Sequence, residues 1–433
     1  MLENVLDTAL RTGISHGNLR VSFPSGRGET YGDGSGALIA IRITDPARLR
    51  AIALDPGLAV AEAYMDGALV IEHGDIYGLI AVAKSNMRPE VSTPGAWFQH
   101  LRRSVALAPV ARAIGLKAAR ANVAHHYDLD ERLYRLFLDD DMQYSCAWFE
   151  RPDMTLDQAQ LAKKRLIAAK LLVRPDARVL DIGCGWGGMA LYLARCCDAD
   201  VTGITLSREQ LRIAEARAEA AGLSRRVRFR LQDYREVRET FDNIVSVGMF
   251  EHVGKRQFPV FFRTAARLLA PDGVMLLHSM TQPAPALYNQ PFLEKYIFPG
   301  GYIPSVGEVV PAIERAGLLL RDVEILSLHY AETVKAWRER FLARRDEVVA
   351  LYDERFLRMW EFYLAGSESA FRHDHIHVSH FQLAREQQRV PLTRAYVAEA
   401  MERLREREWQ VPEYAALQAE PPAGVARLRR DAS

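Results

Sequence analysis

Two groups of residues in this 433-residue chain have the types and spacing to do chemistry. The first is the stretch SVGMFEHVG, which places Glu251 and His252 just past a run that reads as a buried strand, between two glycines. A carboxylate left where a sheet ends faces the region in which open α/β sheets form their clefts. The second is VLDIGCGWGG, in which Asp181 closes a strand and Gly183, Gly185 and Gly187 follow at alternate positions. Glycines there let the backbone turn sharply and come close to a ligand. Cys146 in YSCAWFE, His278 in LLHSM and Tyr330 in HYAETVKAW have no spacing that sets them apart. Taken singly, each has an ordinary structural reading: a small buried thiol, a hydrogen-bonded core histidine, a tyrosine at a helix start, and for Glu251 a cap on the next turn.

Elements to position them follow from about residue 177 onward. RVLDIGC, DVTGITL, RVRFRLQD, FDNIVSVGMF and GVMLLHSM read as apolar strands, separated by helical stretches such as SREQLRIAEARAEAAGL and FPVFFRTAARLLA. This alternation predicts a parallel sheet covered on both faces. The glycine turn lies at a strand's carboxyl end, where such sheets take a nucleotide-like ligand. Its spacing, D-x-G-x-G-x-G, differs from the dinucleotide fingerprint G-x-G-x-x-G. After the second strand comes TGITLSREQ, with Thr205, Leu206, Ser207 and Gln210 and no acid before Glu209. Ser207 is expected to cap the following helix, and Gln210 could offer its amide to a ligand.

Residues 1–90 mix strand-like runs (ALIAIRIT) with helical pieces (DPARLRAIAL, GDIYGLIAVAKS) and predict a small α+β domain. A linker with an amphipathic, basic helix is expected over 91–122, carrying Arg102, Arg103, Arg112, Lys117 and Arg120 among apolar residues. It reads either as a membrane-surface segment or as a connector packed on a neighbour. A catalytic domain over 123–390 and a C-terminal helix and tail over 391–433 complete the division, the tail beyond about 412 being expected to be loosely ordered. The cluster His373, His375, His377 and His380 has a spacing that can share a strand face, and it reads as an exposed strand edge; no metal is expected. A net charge of +1 gives no sign of nucleic acid as the main partner. Four cysteines without a CxxC pair suit a reducing compartment. The absence of a signal-peptide pattern and of a long apolar run points to a cytoplasmic protein whose membrane contact is peripheral.

Four stretches together resemble one family: HYDLDERLYRLFLDDDMQYSCAWFE; LDIGCGWGG with GITLSREQ; SVGMFEHVG; and LLHSM followed by KYIFPGGYIPS. They are similar to the cyclopropane-fatty-acyl-phospholipid synthases and the mycolic acid cyclopropane synthases, and AEAYMDGALVIEHGDIYGLI resembles the extra N-terminal domain of the phospholipid enzymes. The resemblance implies an α/β fold, a Rossmann-like S-adenosylmethionine-dependent methyltransferase domain with a smaller N-terminal α+β domain. It implies methyl transfer to the cis double bond of an acyl chain of a membrane phospholipid, a carbocation, and ring closure after a bound bicarbonate removes a methyl proton. The residues it assigns to bicarbonate are Cys146, Glu251, His278 and Tyr330, with backbone from Met280. Those it assigns to the cofactor are Tyr144, Ser145, Gly183, Gly185, Thr205, Leu206, Gln210, Gln232, Asp233 and Val247. Glu251 then holds the base and is not itself the base. Phe292, Leu293, Tyr296, Ile297 and Phe298 become lid or tunnel residues, a homodimer on the inner face of the cytoplasmic membrane is expected, and Ser367 stands where relatives can carry a cysteine. Rival readings are a fatty-acyl methyltransferase that leaves a methylene or methyl branch, an N- or O-methyltransferase, and a lipid-binding protein with a relic cofactor loop.

Overall fold

The computed structural model describes residues 2–86, 130–285 and 290–418, so the basic 91–122 segment lies outside the described residues. The chain divides into two compact units: Met1–Ala113 with Leu287–Gly300 and Ala331–Ile376, and Ile114–Ala286 with Gly301–Tyr330 and His377–Ser433.

The first unit holds a four-stranded sheet, β1 (Asn18–Ser22), β2 (Gly28–Tyr31), β3 (Leu38–Ile43) and β4 (Leu69–His73), in the order β2-β1-β3-β4. Its helices start where the sequence marks them: Asp45 accepts from the Ala47 N–H ahead of Pro46–Leu54, and Asp75 from the Gly78 N–H ahead of Ile76–Ser85. Inward residues of the sheet, Leu19, Val21, Ile39 and Ile41, form a core with Leu49, Ile52, Ile76 and Leu79. Ala365, from the helix Glu354–His373, completes that core. Residues 331–376 thus fold onto the N-terminal sheet although they interrupt the second unit in sequence. Phe292 also packs here, its ring 4.9 Å from Phe362, and Phe298 lies 5.8 Å from Tyr363.

The second unit is a seven-stranded sheet of β5 (Arg178–Ile182), β6 (Asp200–Thr205), β7 (Val227–Leu231), β8 (Phe241–Val247), β9 (Leu269–Thr281), β10 (Leu319–Ile325) and β11 (His377–Ala384). The order is β10-β11-β9-β8-β5-β6-β7, with β5 to β9 parallel and β11 antiparallel to both neighbours. The β-branched and leucine-rich runs are buried on both sides, as parallel strands require. One apolar core, around Ile167, Leu193 and Val245, lies on one face; another, around Phe250, Phe261 and Leu277, lies on the other. The fold is therefore an α/β sheet, parallel over β5 to β9 as the alternation predicts, and of the Rossmann-like kind that the resemblance implies.

Two expectations are corrected. β11 is not an exposed edge: it lies between β9 and β10, and His380 is 1% exposed. Residues just past 412 are not loose, because Tyr414 in the short helix Pro412–Ala415 is buried with its ring 5.7 Å from that of Tyr192. Among the described residues no helix is long and apolar enough to cross a membrane.

Candidate active site

The carboxyl ends of β5, β6 and β8 open on one cleft. Its lining includes all ten residues assigned to a cofactor: Tyr144, Ser145, Gly183, Gly185, Thr205, Leu206, Gln210, Gln232, Asp233 and Val247. The glycine turn adopts the left-handed backbone at Gly183 (φ 82°), and the Gly183 and Cys184 N–H groups both donate to Ile204 O at 3.0 Å, tying the turn to β6. After β6, Ser207 caps the helix Arg208–Ala220 by accepting from the Gln210 N–H. The Thr205 hydroxyl donates to Gln210 Oε1 at 2.8 Å. With its carbonyl so engaged, the Gln210 amide nitrogen is a donor without a protein partner among the described residues, on the cleft wall. Asp233 is held from the other side, its carboxylate gripped by the Arg235 guanidinium at 2.7 and 2.8 Å.

Asp181, at the head of the glycine turn, is 1% exposed, and its Oδ2 has no partner among the described residues. Burial pushes its carboxyl up to about 7, with Lys163 opposing the shift only in part. An orphaned acceptor on a glycine-rich turn and an amide donor on the lining of the same cleft fit a ligand that brings both donors and acceptors. The raised value has a sign. Folded Asp181 keeps a proton that the unfolded chain releases, so its stabilisation is full below the ordinary carboxyl value of 3.8 and is lost as pH rises to about 7. Asp181→Asn should therefore flatten the fall in thermal stability between about pH 5 and pH 8. The expected reduction is on the order of 2–3 kcal/mol, read by calorimetry at the two pH values; an unchanged slope contradicts the assignment.

Lys163 is a site residue that the sequence did not reveal. It lies on the helix Leu156–Leu171, whose cations Lys163, Lys164, Arg165 and Lys170 are all buried. Lys164 pairs with Asp141, Arg165 with Glu408 and Glu150, and Lys170 with Glu324. Lys163 instead donates to Gln143 Oε1 at 2.6 Å and Ser145 Oγ at 2.8 Å, two residues of the cleft lining. Burial pushes its ammonium value down. Trp186, Met249 and His252 also line the cleft unpredicted, and burial pushes His252 down to about 4, keeping its ring neutral.

The second set of predicted residues lies beside this cleft in the same unit. Glu251 follows β8 in a short turn and is buried. The Met280 N–H on β9 donates to its Oε1 at 2.7 Å, while Oε2 has no hydrogen-bond partner among the described residues. Burial pushes this carboxyl up to about 7, the Met280 N–H acting against it. His278 is two residues before Met280 and in register with Val247 of the cleft wall; its carbonyl accepts from the Gly248 N–H at 2.9 Å. Burial, then the charges of Lys163 and Lys170, hold its ring neutral. Cys146 is fully buried, its Sγ donating to Ala147 O at 3.2 Å. Tyr330, second residue of the helix His329–Ala343, packs on the apolar cluster that contains Cys146 and touches Met280. The structure thus joins Glu251 to Met280 directly, joins His278 to the cleft through β8, and gathers Cys146, Met280 and Tyr330 on one cluster.

Comparison with known proteins agrees with this geometry. The family described as mycolic acid cyclopropane synthetase matches residues 115–381, and a domain of unknown function (DUF7884) matches residues 5–92. The cyclopropane-fatty-acyl-phospholipid synthase of Escherichia coli K12 is 38% identical over 77% of this chain and 84% of its own. The tuberculostearic acid methyltransferase UfaA1 of Mycobacterium tuberculosis is 34% identical over 88% and 91%. Mycolic acid cyclopropane synthase CmaA1, solved in complex with SAH and CTAB, superposes on 61% of this chain and 97% of its own, with 37% identity and a TM-score of 0.59. A glycine-turn cleft beside a buried, half-partnered glutamate, in a chain so matched, belongs to an enzyme of the mycolic acid cyclopropane synthetase family, with the Rossmann-like fold of S-adenosylmethionine-dependent methyltransferases.

Proposed function

We propose that this enzyme transfers the methyl(ene) group of S-adenosylmethionine to the cis double bond of unsaturated acyl chains in membrane phospholipids and closes a cyclopropane ring, with bicarbonate held at Glu251. The observation that carries the reading is the Glu251 carboxylate: buried, anchored through one oxygen by Met280 N–H, its other oxygen without a partner among the described residues, beside the cofactor cleft. S-adenosylmethionine supplies an electrophilic methyl group on a sulfonium, and bicarbonate supplies a small planar base.

The chain's own residues have distinct tasks in this reading. The Gly183 turn and the Gln210 amide hold the cofactor, while Lys163 fixes Ser145 and Gln143 on the opposite wall. An alkene that accepts a methyl becomes a carbocation, and in a water-poor site a fixed negative charge stabilises that state most strongly. A flexible acidic side chain near the double bond would compete with the lipid for space, whereas a small anion gripped from behind does not. Glu251 Oε2 accepts the anion's hydroxyl, and His278, Tyr330 and Cys146, whose thiol turns away from Ala147 O, donate to its other oxygens. The Met280 N–H, engaged by Glu251, acts by fixing the acid's rotamer. The substrate is a membrane lipid, so the reading includes peripheral contact with the bilayer, and homodimerisation belongs to the same proposal.

A second outcome has support in the similarity to UfaA1, which spans more of this chain than the similarity to the E. coli synthase does: the same cation could lead to a methylene or methyl branch. The two readings separate by product. Vesicles of cis-monounsaturated phospholipid incubated with the enzyme and methyl-labelled S-adenosylmethionine should yield acyl chains heavier by one CH2, with cyclopropane ring protons in the NMR spectrum. Vinylidene protons or a branch methyl would establish the second outcome, and no label in lipid would overturn both.

A further inference from the structure

His278, His380 and Glu324 stand side by side across three strands. His278 on β9 is in register with His380 on β11, and His380 with Glu324 on β10. Their side chains are linked: His278 Nδ1 lies 2.8 Å from His380 Nε2, and His380 Nδ1 lies 3.1 Å from Lys170 Nζ, which is ion-paired with Glu324. All but Glu324 are buried, and Glu324 is partly open to solvent. The row is continuous from the β8–β9 side of the site to the molecular surface.

The hydrogen positions along this row are dictated from one end. Burial pushes the Lys170 ammonium value down and the Glu324 carboxylate opposes that shift; in its ion pair with Glu324, Lys170 stands as an ammonium, which has three donors and no acceptor. His380 Nδ1 facing it must therefore accept, which places the His380 proton on Nε2. That N–H can only donate to His278 Nδ1, which places the His278 proton on its own Nε2. Among the described residues His278 Nε2 has no hydrogen-bond partner. Burial and the neighbouring cations Lys170 and Lys163 hold both rings neutral, so each carries one proton to be placed.

We infer that Lys170 and His380 are positioning residues that lock His278 in the Nε2–H tautomer, so that its free nitrogen can only donate toward a bound anion. The inference rests on the proposed role of His278 as an anion donor. A neutral imidazole left to itself places its proton on either nitrogen, and the wrong choice would turn a lone pair toward the anion. A lysine two residues removed along the row sets the choice without adding a cation to the wall that must stabilise a carbocation.

The test uses the full-length protein labelled with ¹⁵N in histidine, the variants His380→Gln and His380→Leu, and cofactor titration to show that each variant binds S-adenosylmethionine as the parent does. Glutamine keeps both functions, its carbonyl accepting from Lys170 and its amide donating to His278; leucine keeps neither. The parent and His380→Gln should show His278 as the Nε2–H tautomer, with turnover within about threefold of each other. His380→Leu should lose that single tautomer and turn over about tenfold more slowly, the effect of one hydrogen bond of ordinary strength. Should His380→Leu fail to fold, Lys170→Met removes the donor that sets the row and should likewise release the His278 tautomer. An Nδ1–H tautomer in the parent, or a His380→Leu enzyme that keeps both tautomer and turnover, overturns the inference. If the tautomers follow the prediction while parent turnover ignores bicarbonate, the relay stands and the anion reading fails.

Discussion

Glu251→Gln should lower turnover by about 10²- to 10³-fold, the range seen when one preorganised group of an anion-stabilising site is removed, while leaving thermal stability unchanged or raised. Glutamine has the same shape, and its carbonyl can still accept from the Met280 N–H that Glu251 Oε1 now engages. The unpartnered Oε2 becomes an NH2 group, so the acceptor for an anion's hydroxyl is replaced by a donor, and the nearest fixed negative charge is gone. Stability moves the other way because burial has already lifted the Glu251 carboxyl to about 7, which means that its charge is a cost to the fold at higher pH. The combination is the signature: activity lost, melting temperature kept, S-adenosylmethionine affinity kept. Steady-state turnover of labelled cofactor with calorimetry on the same samples checks it, and a variant within a few-fold of the parent would remove Glu251 from the chemistry.

Gly183→Ala should weaken cofactor binding by about 100-fold, equivalent to roughly 2.7 kcal/mol. A Cβ at this position would lie 2.7 Å from Met249 Cβ and 2.8 Å from its Cγ, both close to the backbone of a neighbouring wall. The backbone also has φ of 82°, which costs a residue with a side chain on the order of 1–3 kcal/mol. The turn is tied to β6 through the Gly183 N–H to Ile204 O bond, so it cannot relax without moving Thr205 and the Gln210 contact with it. Isothermal titration with S-adenosylmethionine measures the loss; unchanged affinity would mean that the turn does not approach the ligand.

The sequence made the strand alternation legible because parallel strands are apolar on both faces, and it made the glycine turn legible because left-handed backbone positions at a strand end admit little else. The ten cleft residues came from the family resemblance, carried over from several separate stretches, and the two glycines among them also from the turn itself. What remained hidden depends on long-range pairing. The helical pattern of residues 331–376 states which face is apolar but not which core receives it, and Ala365 joins that of the N-terminal sheet. The run KKR in the helix Leu156–Leu171 reads as a solvated face, yet partners from Asp141 to Glu408 bury every charge in it. The histidines before FQLAR read as an edge because their polarity is matched only across strands, by His278 and Glu324. Lys163 had no local signal beyond that same KKR run, since its partners Gln143 and Ser145 belong to a loop preceding the helix.

The most direct measurement is the turnover of the parent enzyme on cis-unsaturated phospholipid vesicles in buffer stripped of carbon dioxide and bicarbonate, followed by its return. The account predicts that lipid methylation falls on depletion, recovers in a saturable manner as bicarbonate is restored, and does not recover in Glu251→Gln. Equal turnover with and without bicarbonate would show that the buried glutamate holds no such base, and the proposed chemistry would have to be abandoned.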